Sequence, residues 1–372
     1  MWIGFAVLAA VCFGLRGILY HAASKLPLSR TVLLCGTFTM GAIVSLAAAV
    51  LSGQTWTLSA LVGIQMGLFS FIANASMFKG FEVGKASLVA IITALPPVLV
   101  VVLAYLFWNE SLNGYQLAAF VVIVAGILLI RYSNDLAAGN WQGAQWALLA
   151  LLMFAGNDLS GSWSTKLGAP LFPTLFYMFA AGAVCFALWW AKDIRNEAAS
   201  ASQAQARIAA RETDGSGAES FDARGEAGEA SGLRSGEQAG AASREYDACA
   251  VPLAAASDAV REAESNTDAP GKARETDASV EVRESLGGRP WTARRTFGAG
   301  MLVGLTNAAG MMLIVTAFGY GKAGLVSAVT ALNVLIVLLY TRFVVKERFT
   351  RLEIAGMAGA FCGIVLLRLL GG

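Results

Sequence analysis

The sequence predicts an all-α integral membrane protein: ten transmembrane helices as two inverted five-helix repeats, with a disordered hydrophilic insertion between helices 7 and 8. Three observations carry that expectation. Of 372 residues, 56% are hydrophobic and 14% charged, against about 25% charged in average soluble domains. The charges are also gathered in one place, because residues 192–296 hold 33 of the 52 (14 Lys/Arg and 19 Asp/Glu), leaving 19 for the other 267 positions. Finally, "GKASLVAIITAL" from Gly84 is nearly rewritten as "GKAGLVSAVTAL" from Gly321. The first two exclude a soluble globule with a polar coat.

The spans come from run length. A bilayer core of about 30 Å needs roughly 20 apolar residues per helix. Runs of that size lie near 2–21, 31–51, 58–79, 86–108, 113–131, 142–165, 171–191, 297–319, 323–345 and 352–370. They must be helices, since lipid offers no partner to open backbone groups, and they lack the alternation of barrel strands. The first run, "MWIGFAVLAAVCFGLRGILY", lacks a basic n-region and a small-residue cleavage site, so it reads as a retained helix. The five cysteines show no CxxC or Cys/His spacing, and four of them lie in apolar stretches as small filler.

The repeat emerges when residues 63–131 are slid onto 300–368 at a constant offset of 237, with no gap. Shared positions include Gly63/Gly300, Gly67/Gly304, Phe81/Phe318, Lys85/Lys322, Thr93/Thr330, Glu110/Glu347, Gly126/Gly363 and Arg131/Arg368. Spans three to five thus match spans eight to ten, and "SKLPL" after span one echoes "TKLGAPLF" after span six. The unit has an odd number of helices, so its second copy crosses the membrane inverted. Residues 1–131 form the first repeat, 132–191 begin the second, 192–296 are the insertion and 297–372 complete it. Inverted repeats of this kind mark secondary transporters, whose substrate sites lie near the midplane between halves.

Charge suggests an orientation. The odd-numbered loops and their flanks carry Lys25, Arg30, Lys79, Lys85, Arg131, Lys192, Arg195, Arg294, Arg295, Arg342, Lys346, Arg348 and Arg351; the opposite face has little beyond Lys166, Lys322 and Arg368. The positive-inside rule then places the insertion in the cytoplasm of a bacterial cell, with both termini outside. The insertion is rich in Ala, Gly, Ser, Glu and Arg, with net charge −5 (14 minus 19). Such a composition buries too little apolar surface to offset chain entropy, and disorder is expected. A passive linker is the plain reading; weak docking on basic cytoplasmic loops is the other.

Polar groups inside spans are costly and tend to face a cavity or another helix. Asp158, in "FAGNDLSGSW", is the only acid well inside a span. It offers a proton acceptor or a hold on a cationic or hydroxylated substrate; a structural hydrogen bond is the alternative. Arg16 is the partner to test against it, although inverted halves separate the two by about 10 Å along the membrane normal. An interfacial anchor is the other reading of Arg16. Gln65, Asn74, Asn157, Asn307 and Asn333 are candidate hydrogen-bonding groups for substrate, or interhelical contacts. Asn333 aligns with Pro96 of "TALPP", so the Pro96–Pro97 helix break in one half is matched by an amide in the other, and both places can free backbone groups. His21 is expected at the interface. Glu110 and Glu347 are expected as first-turn acids complementing the helices that follow.

With these residues in view, the chain resembles the drug/metabolite transporter (DMT) superfamily, EamA type. The resemblance rests on ten spans in two halves, each with a Gly-Lys-Ala start to its fourth helix and an acidic turn before its last ("WNESLNGYQ", "VKERFTRLE"). It implies alternating-access movement of small organic metabolites, often by export, and leans towards cytoplasmic termini. The 105-residue insertion and the lack of a basic N-terminal cap depart from the pattern. HExxH, GxSxG, Walker A and dinucleotide fingerprints are missing, so the protein reads as a permease and not an enzyme. The expected partners are the lipid bilayer and a small-molecule substrate, not nucleic acid, with a homodimer open through GxxxG pairs. No cofactor or metal is expected beyond a coupling proton. Two alternatives stand beside metabolite or drug export: a proton-coupled importer of a sugar or nucleoside, and a non-transporting sensor or scaffold that uses the insertion as its output. Deleting 200–285 separates the scaffold from the transporters.

Overall fold

The computed structural model of the chain describes residues 1–24, 28–84, 86–131, 143–216, 293–345 and 350–370. Lys25, Lys85, Lys346, Glu347, Arg348, Trp141 and residues 217–292, over which the sequence expects most of the insertion's disorder, lie outside them. The described residues contain helices and no strand: α1 (Trp2–Ser24), α2 (Arg30–Leu51), a short 3₁₀ turn (Leu58–Leu61), α3 (Val62–Val83), α4 (Ala86–Ile92), α5 (Pro96–Trp108), α6 (Gly114–Arg131), α7 (Ala144–Lys166), α8 (Leu171–Ser216), α9 (Ala293–Tyr320), α10 (Ala323–Thr330), α11 (Asn333–Tyr340) and α12 (Arg351–Leu370). A π turn, Thr341–Val345, extends α11. Every run read as a span is helical.

Among the described residues, eight stretches are long and apolar enough to cross a membrane by length and composition, counting α4 with α5 and α10 with α11 as single crossings. Gly114–Ile130 is a shorter apolar helix. α7 has the length, 23 residues, but Asn157, Asp158, its serines and Lys166 lower its hydropathy.

The chain divides into two units, Met1–Ala187 with Ala248–Gly372, and Leu188–Asp247. The first is the helix bundle. The second takes in the far part of α8, which runs to Ser216, beyond position 191 where the apolar run ends. Its sequence there, "NEAASASQAQARIAARETD", is built from Ala, Glu, Gln and Arg, strong helix formers. The insertion therefore begins as helix, not as irregular chain.

Both crossings that the sequence expected to be interrupted are broken in equivalent places. α5 starts at Pro96 and α11 at Asn333, positions aligned by the 237-residue offset. Prolines supply the first break, because neither ring nitrogen can donate and both sit at the first turn of α5. The last helix of each half is opened by a capping box in register. Gln116 N–H donates to Asn113 Oδ1 at 2.8 Å and Asn113 N–H to Gln116 Oε1 at 3.2 Å. Thr350 N–H donates to Glu353 Oε2 at 2.7 Å and Glu353 N–H to Thr350 Oγ1 at 3.3 Å.

Packing is equally symmetric. α1 packs on α9, α10 and α11, as α7 packs on α3, α4 and α5; α6 packs on its own counterpart, α12. α9 lies against α2 and α3 against α8 through glycines. A Cβ on Gly300 would strike the Leu33 carbonyl, and one on Gly304 the Thr37 carbonyl; Gly63 and Gly67 stand in the same relation to Thr174 and Met178. These pairs place α2 on α8 at an offset of 141, which the sequence alone had left obscure. It also aligns Phe38-x-x-Gly41 with Phe179-x-x-Gly182. The two motifs interlock: Gly41 lies against the Phe179 ring, Gly182 against the Phe38 ring, and the rings meet at 5.8 Å.

Candidate functional site: polar groups between the two repeats

Arg16 sits two turns from the end of α1. Its Nη1 donates to Asn307 Oδ1 of α9 at 2.6 Å, and its guanidinium carbon lies 4.7 Å from the centre of the Phe13 ring. That ring is seated where Gly310 leaves room for it. A charged group inside a span needs such partners, since lipid supplies none. At the repeat-equivalent place, Asn157 of α7 accepts a hydrogen bond from Ser70 Oγ of α3 at 3.1 Å. With 16 matching 157 and 70 matching 307, one cross-helix contact is built twice with different chemistry.

Asp158 is bound from elsewhere. Its Oδ2 accepts from Ser327 Oγ of the broken crossing at 2.5 Å. Its counterparts in the first half are Gly17 and Ala90, so this contact occurs once. Among the described residues, no ion pair joins Arg16 to Asp158; each is satisfied by a neutral partner. The doubt raised by their separation along the normal is met by this arrangement.

The remaining candidates fall in different places. Asn157 and Asn307 are buried, at 8% and 3% exposure. Asn74 is half-buried and turns its amide back on its own helix, Nδ2 donating to Ser70 O at 2.7 Å. Asn333 is half-buried at the start of α11, while Pro96 and Pro97 are buried at the start of α5. Gln65 is exposed and does not join the others. It lies in the first turn of α3, on the outer side of that helix. His21, expected at the interface, lies in the last turn of α1, where it is 7% exposed and meets Tyr340 edge-on at 6.0 Å. Among the described residues, no three His, Cys, Asp or Glu side chains gather to hold a metal ion.

One cluster goes beyond the sequence reading. Glu110 does not cap the helix that follows it. Its Oε2 accepts the Ala323 N–H at the start of α10 at 3.0 Å, and its Oε1 pairs with Lys166 Nζ at 2.6 Å. Lys322 Nζ donates to the Ser111 carbonyl and, at 2.8 Å, to Gln116 Oε1. A cavity of 430 Å³ opens beside them, lined also by Trp2, Thr165, Phe318 and Leu325. The sequence did hold a signal. Lys166, Lys322 and Glu110 are matched by Lys25, Lys85 and Glu347 at the same two offsets, 141 and 237.

Comparison with known proteins places this architecture. A family model described as the EamA-like transporter family matches residues 1–132 and 284–369. An uncharacterized transporter of Bacillus subtilis (strain 168) is 28% identical over 162 residues, 42% of this chain and 51% of that protein. A chloroplastic WAT1-related protein of Arabidopsis thaliana is 28% identical over 133 residues, 33% of this chain and 32% of the relative. The chain thus spans about half the length of the first of these relatives and a third of the second. A solved crystal structure covers 99% of both chains with a TM-score of 0.58 at 13% identity, a likeness of fold. The family match covers the first repeat with its break at Pro96 and the last three crossings of the second with the break at Asn333: the chain belongs to the EamA-like transporter family, within the drug/metabolite transporter superfamily, as a multi-pass membrane protein.

Proposed function

We propose that this protein is a secondary active transporter that moves a small organic metabolite or drug by alternating access, in the direction of export. In this reading, Arg16, Asn157, Asp158 and Asn307 surround the substrate. Asn74, Asn333 and the backbone freed near Pro96 and Pro97 border the same region, and Asp158 takes the coupling proton. The observation that carries the reading is the single Asp158–Ser327 contact. It puts the only acid well inside a span onto a broken helix, beside a polar contact that the fold otherwise builds twice. Broken helices next to an intramembrane acid are where transporters of inverted-repeat design bind substrate and coupling ions. The inverted pseudo-symmetry supports alternating access, because exchanging the conformations of the two halves turns one facing into the other.

The test is ligand-induced stabilisation of the purified protein across amino acids, nucleosides, sugars and cationic dyes, followed by flux of any responding compound in proteoliposomes. A ligand at 100 times its Kd adds about 2.7 kcal/mol. The expected result is a response in the wild type that Asp158→Asn weakens tenfold or more, with the variant's own stability little changed. A folded protein that answers to nothing in the panel would overturn the reading. Deleting 217–285 should leave flux intact, as a scaffold built around the insertion would not. Imposing a pH gradient of each sign then separates proton-coupled export from import.

A further inference from the structure

The face at which α7 ends and α10 begins is shut by contacts between residues distant in sequence. Two sets of helices meet there. α9 packs on α1 and α2 and leads through Lys322 into α10; α7 packs on α3, α4 and α5. Inside the bundle the sets touch through small residues: Gly324 of α10 against Val101 of α5, and Gly161 of α7 against Phe318 of α9. Nearer water they touch through charge. Glu110, just after α5, uses one oxygen on each set: Oε1 on Lys166 of α7 and Oε2 on the Ala323 N–H of α10. Lys322 reaches back the other way, to the Ser111 carbonyl and to Gln116 of α6. Lys166 is fixed in turn, its ammonium 5.0 Å from the centre of the Trp108 ring. Ser327, which holds Asp158, lies four residues along α10 from Ala323, about 6 Å deeper at 1.5 Å per residue.

We infer that Glu110, Ser111, Gln116 and Lys322 form the gate that closes this face over Asp158, and that Glu110–Ala323 and Lys322–Ser111/Gln116 break in every cycle. The inference deepens the transporter reading and rests on it. The chemistry suits a gate. The bonds lie near the water boundary, with the Lys166 and Glu110 side chains 38% and 15% exposed, and those that break are hydrogen bonds to backbone and amide groups, each of modest net strength and exchangeable for water. The Glu110 and Lys322 bonds act as one latch that holds only while both are made, which keeps the face shut without making it slow to open. Glu110 also holds the N-terminus of the broken crossing, so opening the gate frees the helix that carries Ser327. The Lys166–Glu110 pair lies within one set and keeps the carboxylate aimed across the gap.

The experiment reads opening without any known substrate. Cys12, Cys35, Cys185, Cys249 and Cys362 are replaced by alanine, and Leu325, 1% exposed on the cavity floor, becomes the reporter as Leu325→Cys. Its reaction with a bulky charged maleimide is timed with the protein in nanodiscs. Glu110→Ala and Lys322→Met should each speed labelling about five- to tenfold, and together no more than the faster of the two, because either break opens the same gate. Lys322→Arg, which keeps charge and donors, should stay within twofold of the parent. Lys79→Met, which removes the exposed Lys79–Glu82 pair, should change nothing. A second protein that keeps only Cys35, buried between α2 and α8, reports on general loosening and should stay unreactive. Rates unchanged by Glu110→Ala and Lys322→Met, accelerations that multiply, or Cys35 reacting in step would each overturn the gate. Such a failure leaves the transporter reading standing, since no flux is measured; a ligand panel without response sinks that reading instead.

Discussion

Gly41 of the first repeat lies against Phe179 of the second, and Gly182 of the second against Phe38 of the first; at this crossing the halves are copies. A few turns away they diverge. Arg16 stands where the second half has Asn157, Ser70 where it has Asn307, and Gly17 and Ala90 where it has Asp158 and Ser327. At the crossings of α2 with α9 and of α3 with α8, the likeness falls where backbones touch and no other side chain fits. The differences fall where polar groups meet between helices. Inversion of the fold demands only the first kind of position, so the second is free to differ between the halves. That division can be broken or sharpened residue by residue.

The largest effect is expected at the glycine crossings. Gly300→Val drives a side chain into the Leu33 carbonyl and disturbs the bond from Thr37 Oγ1 to the Gly300 carbonyl, 3.1 Å long. Overpacking of this kind costs about 3 kcal/mol or more when backbone is the obstacle, and thermal unfolding in detergent should show a large drop. Gly63→Val, the same change in the other half, should match it; a difference well beyond 1 kcal/mol would deny that the two crossings are equivalent.

Next in size are the polar groups that differ. Ser327→Ala makes the second half resemble the first, which has Ala90. It removes the donor to Asp158 and should weaken ligand response or flux about three- to tenfold, or roughly 0.7–1.4 kcal/mol. Ala90→Ser, installing the hydroxyl on the other side, should leave both near wild type. Equal effects from the pair would make the asymmetry incidental. Arg16→Asn, copying Asn157, should lose about 0.5–2 kcal/mol of stability, the range for interhelical polar contacts in membranes, and should alter which ligands stabilise the protein.

Smaller still are the caps. Asn113→Ala and Thr350→Ala each remove a capping-box side chain and should each cost about 1 kcal/mol, nearly the same in both halves. The smallest effect belongs to Gly359. A Cβ there would have only the Gly126 Cα within reach, at 4.0 Å, so Gly359→Ala should be neutral or stabilise by up to about 1 kcal/mol through helix propensity. A large loss there would mean that the α6–α12 pair is packed more tightly than its glycine spacing implies.

Much of the architecture was legible in the residues themselves. Spans are set by run length against a fixed bilayer thickness, and the duplicated third to fifth helices by an ungapped offset. The break at Pro96 follows from a ring without a donor, and the break at Asn333 from its register with that proline. Asp158 and Arg16 stand out because charge in lipid is costly wherever it points. The doubling of spans one and two was harder to see. Phe38/Phe179 and Gly41/Gly182 are isolated identities in apolar sequence, and only their interlocking contact picks them out.

Partnership was a matter for the tertiary structure. A one-dimensional pattern gives the depth of a group in its helix but not the direction in which the helix turns it. Arg16 therefore meets Asn307 and not Asp158, Gln65 turns outward, and His21 is buried against Tyr340 although it ends a helix. Glu110 shows the same limit most plainly. Its neighbours in sequence suggested a cap for its own helix, yet its carboxylate holds the start of α10, 213 residues on, because packing of the two halves brings that N–H to it while Asn113 and Gln116 cap α6. The sequence by itself settled what must cross the membrane and that the third to fifth crossings of each half had been copied. Which copies touch, and with what chemistry, depended on helix rotations that only close packing fixes.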